Sequence, residues 1–168
     1  TDQSIRTAGD EFTQNIVDYL KRNQNILIGE RTAEQIKIHV GSALKQLDNA
    51  PPDFAVNGRD LITGIPRQIT INYAEVAEAL DESIVTIEEA ILKALESTPP
   101  ELASDIYRTG LYLTGGGALL RGLDKRISRI TKLPVHIAEE PLRAVVRGTG
   151  IALKNTDRYS FLIDRKRI

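Results

Sequence analysis

Three consecutive glycines, Gly115, Gly116 and Gly117, separate two segments of opposite periodicity. Before them runs Leu111-Tyr-Leu-Thr114, short, apolar and partly aromatic. After them Leu120, Leu123, Ile127 and Ile130 recur three or four residues apart, which is helical spacing. The unit reads as buried strand, glycine turn, amphipathic helix. In open α/β sheets such a junction lies at the carboxyl end of a strand, where ligands bind. Glycines let a backbone come close to a flat or charged ligand, and a new helix adds unpaired N–H groups and a positive dipole end. No Gly-Lys-Ser/Thr follows and the spacing is not G-x-G-x-x-G, so neither a P-loop nor a dinucleotide fingerprint is present. These residues alone leave two readings open, a nucleotide-facing turn and a purely structural one.

The rest of the chain alternates in the same way. Asp2 to Thr7 is predicted as a strand, followed by a helix with Phe12, Ile16, Val17 and Leu20 on one face, ending near Arg22. Asn23-Gln-Asn25 connects it to Ile26-Leu-Ile28. Thr32-Ala-Glu-Gln35 has the form of a capping box for a second helix to about Leu47. Asp48 to Asp53, with Pro51-Pro52, is a loop. Phe54–Gly58 and Pro66–Asn72 read as two strands joined through Gly64. Asn72 and Glu75 cap a long helix with Val76, Leu80, Ile84, Ile87, Ile91 and Leu95 on its apolar stripe. Its acidic residues, Glu75, Glu78, Asp81, Glu82, Glu88 and Glu89, are expected on a solvated face. Pro99-Pro100 stops it, and Thr98 with Glu101 suggests another capping box for a helix to Arg108. After the glycine unit come a strand, Pro134–Ala138, and a helix opened by Pro141 with Leu142, Val145, Val146 and Ala152 expected inward. Gly148 and Gly150 within it predict close packing, since each costs about 1 kcal/mol of helix propensity against alanine. The order predicts an α/β core carrying a small inserted lobe.

Composition narrows the function classes. The 168 residues suffice for one domain or two small lobes. A net charge of −1 argues against nucleic acid as the main partner. With no cysteine and only His39 and His136, thiolate and histidine metal centres are excluded as expectations. No apolar run is long enough for a transmembrane helix, and the expected compartment is the cytoplasm. The chain starts at Thr1 and contains no methionine, so a fragment is expected.

Several segments together are specific enough to name a family. Ala8-Gly-Asp10, Gly29-Glu-Arg-Thr-Ala-Glu-Gln-Ile-Lys37, Pro99-Pro-Glu-Leu-Ala-Ser-Asp105 and Leu113-Thr-Gly-Gly-Gly-Ala-Leu-Leu-Arg-Gly-Leu123 resemble the MreB family, bacterial actin-like proteins that determine rod shape. Glu139-Glu-Pro-Leu142 and Arg147-Gly-Thr-Gly150 extend the resemblance, which runs through nearly the whole chain but covers only the second half of such proteins. It implies an actin-like ATPase fold, α/β and ribonuclease-H-like, with a small inserted α+β subdomain. Residues 1–47 and 100–168 would form the incomplete large-lobe core and residues 48–99 the insertion.

Glu34 and Lys37 stand at i and i+3 and share a helix face; by themselves they read as an ordinary surface ion pair, worth under about 1 kcal/mol. The resemblance implies more. It assigns Glu34, Gln35, Ile36 and Lys37 to one side of the adenosine of bound ATP, and Gly115, Gly116, Gly117, Ala118 and Leu119 to the other. His39 stands where many relatives carry a carboxylate, so charge at the cleft edge is expected to differ. The phosphate loops, the Mg²⁺ carboxylate and the water-positioning residue would come from the other half, so the chain alone is expected to be inactive in ATP hydrolysis. As parts of the whole protein, the resemblance implies self-association into membrane-associated filaments that direct rod shape and cell-wall elongation. It also implies cell-wall elongation and membrane-anchored morphogenesis proteins as partners, at the inner face of the cell membrane. The basic end Asp164-Arg-Lys-Arg-Ile168 could touch anionic lipid or be a disordered end. An actin-fold sugar kinase, an Hsp70-like nucleotide-binding domain and a non-catalytic interaction module are the alternatives.

Overall fold

A computed structural model describes residues 2–7 and 9–159. Helix α1, Gly9–Gln24, buries Phe12, Ile16 and Leu20, the face its periodicity marks. It ends where Asn25 turns the chain with φ +55°, a conformation asparagine tolerates. Strand β1, Ile26–Leu27, leads to α2, Glu30–Val40, which buries Ala33, Ile36 and Val40. Strands β2, Phe54–Asp60, and β3, Pro66–Ile71, form an antiparallel hairpin, and β1 adds to the other edge of β2. Helix α3, Tyr73–Glu96, follows directly. Its first turn has the expected capping box: the Glu75 amide donates to the Asn72 side chain and the Asn72 amide to the Glu75 carboxylate, both at 3.0 Å.

Helices α1, α2 and α3 cover one face of this sheet, and their buried residues form one core with Ile26, Val56, Ile69 and Ile71. That core bears on the expected division at residues 47 and 48. Leu27 of the first segment pairs with Arg59 of the second, and Phe12 and Leu80 lie in the same cluster. A boundary there would cut one sheet and one core.

The second part is smaller. Helix α4 spans Pro100–Thr109, β4 spans Leu111–Leu113, and β5, Val135–Ile137, pairs parallel with β4. Gly115 caps a 3₁₀ turn, Gly116–Leu119, that contains the other two glycines, and only then comes α5, Leu123–Thr131. Leu120, Leu123 and Ile127 join the core of the first part. Helix α6 is Ala144–Lys154.

Several local expectations need correction. Asp2 to Thr7 is irregular rather than a strand; Ile5 is the one aliphatic side chain longer than alanine's there, too little to bury a face. Helix α2 stops at Val40, not Leu47, because Ser42 Oγ bonds both the carbonyl and the amide of Leu44, and Ala43 N–H donates to the Arg121 carbonyl at 2.8 Å. Two expected capping boxes are absent. Gly29 starts α2 without a side-chain cap, and Thr98 turns its hydroxyl back to the Ala94 carbonyl at 2.8 Å while Pro100 opens α4. The acidic face of α3 is solvated but partly paired: Asp81 and Glu88 bond Arg126 of α5, each at 2.7 Å, and Glu78 meets Lys45 at 3.3 Å, with Glu88 alone of the three mostly buried. Leu142, just before α6, and Val145 and Val146 within it are exposed, and a Cβ at Gly148 or Gly150 would meet nothing within 4 Å. The close packing expected of those glycines is not formed among the described residues. Ala8 of the first family segment and the basic end Asp164–Ile168 lie outside the described residues.

Candidate functional site

The amino end of α1, one face of α2 and the glycine turn enclose a cleft of about 670 Å³. Its α2 wall carries Glu34, Lys37 and Ile38, and its opposite wall Gly116, Gly117, Leu119 and Leu120. Gly9, Asp10 and Phe12 line it from α1, and Leu142 reaches in from the loop before α6. Two segments about eighty residues apart in sequence thus face one another across the same space.

A polar cluster stands at the α2 wall. Lys37 forms an ion pair with Glu34 and donates to the Gly9 carbonyl at 2.8 Å and to Thr13 Oγ1 at 3.0 Å. The Thr13 hydroxyl lies 2.9 Å from Glu34 Oε2 and 3.0 Å from the Gly9 carbonyl, so its single proton serves one acceptor at a time. The hydrogen bond from Lys37 holds the Glu34 carboxyl below the ordinary glutamate range; partial burial opposes this, and the Thr13 hydrogen bond and the Lys37 charge reinforce it. The carboxylate is therefore ionised at neutral pH. Its side chain remains nearly half exposed, free to accept hydrogen bonds from a ligand hydroxyl.

The glycines divide into two kinds. Gly115 has φ +80°, a backbone only glycine adopts easily, and its N–H donates to the Pro141 carbonyl at 2.8 Å. Gly117 has no such requirement, and a Cβ built on it would meet nothing within 4 Å; at Gly116 it would meet only Leu142, at 3.6 Å. Neither packing nor backbone shape demands glycine at 116 and 117. What their bare backbone provides is room on the cleft side.

Of the nine residues singled out from sequence, Glu34, Lys37, Gly116, Gly117 and Leu119 line the cleft together. Gln35 is exposed and outside the lining. The Ile36 side chain is fully buried in the core on the other side of α2, and Ala118 is buried as well. Gly115 shapes the turn without lining the cleft. His39 lies outside the cleft lining: its ring stacks on Phe54 at 4.3 Å, and its Nδ1 lies 2.8 Å from the Gln35 carbonyl. His136 is exposed beside Tyr112, their ring centroids 5.1 Å apart. Sequence reasoning missed Thr13, Ile38 and Leu142. Thr13 sits one residue after the buried Phe12 and one turn after Gly9, so its placement beside α2 depends on helix packing rather than on a motif.

The family model described as MreB/Mbl protein matches residues 1–160. The chain belongs to the MreB/Mbl family. It is 48% identical over 158 residues to the cell shape-determining protein Mbl of Bacillus subtilis (strain 168), which covers 94% of this chain and 47% of that protein. To the cell shape-determining protein MreB of Escherichia coli (strain K12) it is 47% identical over 156 residues, 93% of this chain and 44% of that one. The chain therefore spans about half the length of these MreB/Mbl relatives. The crystal structure of MreB5 of Spiroplasma citri bound to ADP superimposes with a TM-score of 0.87 at 38% identity, over 92% of this chain and 46% of that one. The same MreB5 bound to AMPPNP gives 0.87 at 37% identity, over 93% and 46%. The MamK double helical filament, at 18% identity and a TM-score of 0.66 over 82% of this chain and 42% of that one, shares the fold. The fold is actin-like, as the resemblance implied. Among the described residues no group of three or more His, Asp or Glu could hold a metal ion, and no helix is long and apolar enough to cross a membrane.

Proposed function

We propose that this chain supplies the adenosine side of an ATP site in an actin-like cytoskeletal protein that polymerises, lies peripheral to the inner face of the cell membrane, and directs rod shape and cell-wall elongation. The observation that carries the reading is the cleft itself. Ile38 and Leu119 give it apolar surface of the kind an adenine ring needs, and Glu34 is an ionised acceptor suited to ribose hydroxyls. The bare backbone at Gly116 and Gly117 admits the nucleoside closely. Binding of ADP and AMPPNP by the related MreB5 supports the same assignment. Gly115 and Ala118 then act through the shape of the turn, and Gln35 and Ile36 through the placement of α2. Mg²⁺ and the phosphate-handling groups would come from outside this chain, which alone neither hydrolyses ATP nor binds it tightly. Self-association and contacts with membrane-anchored morphogenesis proteins belong to the whole protein. Within the chain, the sheet that joins β1 to β2 and β3 supports a division into residues 9–98 and 100–159, with Leu120, Leu123 and Ile127 packing across it.

Titration of ATP into ¹⁵N-labelled chain tests this. Amide shifts are expected at Glu34, Lys37 and Gly117, and they should vanish in Gly117→Glu, whose side chain enters the cleft without disturbing the fold. Shifts centred on the open depression beside Tyr107, Arg129 and Lys132 would refute the assignment. ATP turnover by the chain, abolished by Gly116→Glu, would refute the claim of inactivity.

A further inference from the structure

The acceptor that the cleft offers to a sugar has only one oxygen to spare. Lys37 Nζ and the Thr13 hydroxyl both contact Oε2 of Glu34, the hydroxyl at 2.9 Å, and among the described residues no donor bonds Oε1. A carboxylate oxygen has two in-plane lone pairs, so Oε2 is filled while Oε1 keeps both. Two donors on one oxygen also stop the terminal torsion of the glutamate, which is otherwise broad and two-fold.

The two donors differ in what they can hold. Lys37 reaches Glu34 on a flexible four-carbon stem from the same helix. Thr13 comes from α1, is buried, and is stiff at χ1, so its hydroxyl is a fixed point set by the packing of α1 on α2. Its proton has a direction as well. The Lys37 ammonium has three protons and three acceptors: Glu34, the Gly9 carbonyl at 2.8 Å and Thr13 Oγ1 at 3.0 Å. With Lys37 serving Gly9, the threonine proton is left for Glu34, and the chain from ammonium to hydroxyl to carboxylate polarises in one sense. Thr13 stands behind Glu34, in a second depression lined by Asp10, Gln14, Glu30 and Arg31.

We infer that Thr13 is a positioning residue for the nucleoside: it pins Oε2 of Glu34 from behind and leaves Oε1 as the single oxygen that meets the ribose hydroxyls, a role that rests on the adenosine reading of the cleft. The threonine hydroxyl does not touch the ligand. Its contribution is therefore felt only by ligands with a sugar hydroxyl to donate, whereas a loosened contact between α1 and α2 would weaken every nucleotide alike.

ATP and 2′,3′-dideoxy-ATP, titrated into the ¹⁵N-labelled chain, separate the two cases. The parent chain should prefer ATP. Thr13→Val keeps the branched shape and removes the hydroxyl; it should weaken ATP about threefold and leave the dideoxy nucleotide unchanged, and Thr13→Ser should restore the preference. The carboxyl ¹³C titration of Glu34 reads the same contact without any nucleotide. Its midpoint should rise in Thr13→Val, because a hydrogen bond favouring the ionised form is gone, and stay below the ordinary glutamate range because Lys37 remains. Asp10, Glu30 and Arg31 are the other charged groups beside Thr13 and are the same in all three chains. Equal losses for the two nucleotides, no loss for either, or an unmoved Glu34 midpoint would overturn the inference while the nucleotide site stands. A parent chain without ATP shifts at Lys37 and Gly117 overturns the adenosine reading and this inference with it, even where the Glu34 midpoint moves as expected.

Discussion

Helices α3 and α6 carry similar apolar stripes and meet opposite fates. In α3, Val76, Leu80 and Ile84 are fully buried in the core that this helix shares with α1 and α2. In α6, Val145 and Val146 remain 65% and 75% exposed, and no residue of the helix is buried. The same contrast separates the two parts of the chain: β2 and β3 have a helical layer behind them, whereas Tyr112 and Ile137 on the β4–β5 pair face outward. Parallel strands are ordinarily covered on both faces. Periodicity states that a face is made for burial; which surface buries it is information held elsewhere.

The largest expected effect tests this contrast directly. Leu80→Ala should cost about 2–5 kcal/mol of unfolding free energy, because the removed methyl groups leave a cavity in a closed core. Val146→Ala should stay within about 0.5 kcal/mol, since no packing is lost. Urea unfolding measures both, and equal losses would erase the distinction between the two parts.

Next in size is the tie between them. Arg126 of α5 reaches Glu88 and Asp81 of α3 and the Ala43 carbonyl at 3.2 Å. Burial disfavours its charge, yet hydrogen bonds to Glu88 and Asp81 outweigh burial and hold its pKa above the ordinary arginine value. Arg126→Met would strand the mostly buried Glu88 carboxylate and should cost about 2–3 kcal/mol, less than the roughly 3–5 kcal/mol of a fully buried pair because Asp81 is half exposed. Adding Glu88→Gln should recover part of that loss. The exposed Lys45–Glu78 pair offers the control, and Lys45→Met should change stability by under about 1 kcal/mol. If the Arg126 and Glu88 losses simply add, the tie is not a coupled one.

The smallest effect concerns the cleft wall. Because the folded-state pKa of Glu34 is depressed, its contribution is present above the ordinary glutamate range and is lost as pH falls through the depressed value. Melting temperatures of the parent chain and Glu34→Gln should therefore differ slightly at neutral pH and converge in acid. A gap that widens on acidification would reverse the sign and remove Lys37 as the cause.

Most of the first part could be read from its residues. The stripes of α1 and α3, the Asn72–Glu75 box and the hairpin are local patterns, and locally determined structure follows them. The same S/T-x-x-E/Q pattern misled twice: Gly29 begins α2 earlier, leaving Thr32 inside its first turn, and α4 begins later, at Pro100, leaving Thr98 bonded backwards to Ala94. Ile36 stands three residues after Ala33 and four before Val40, so its own periodicity already marked a core position beside the cleft-facing Glu34 and Lys37. Thr13 and Leu142 lay beyond local reading, since only the packing of α1 on α2 and the path of the loop after β5 bring them to the cleft. Which glycines serve shape and which serve space was likewise hidden, because both kinds are the same letter.

The stitch between Ala43 and Arg121 has a consequence for how this cleft can vary. Its 2.8 Å bond joins one main chain to another, just behind the point where α2 and the glycine turn face each other. Such a fastening is nearly blind to side-chain identity. Lineages, or a mutagenesis library, can therefore revise the groups that meet a ligand while the spacing of the two walls is inherited unchanged.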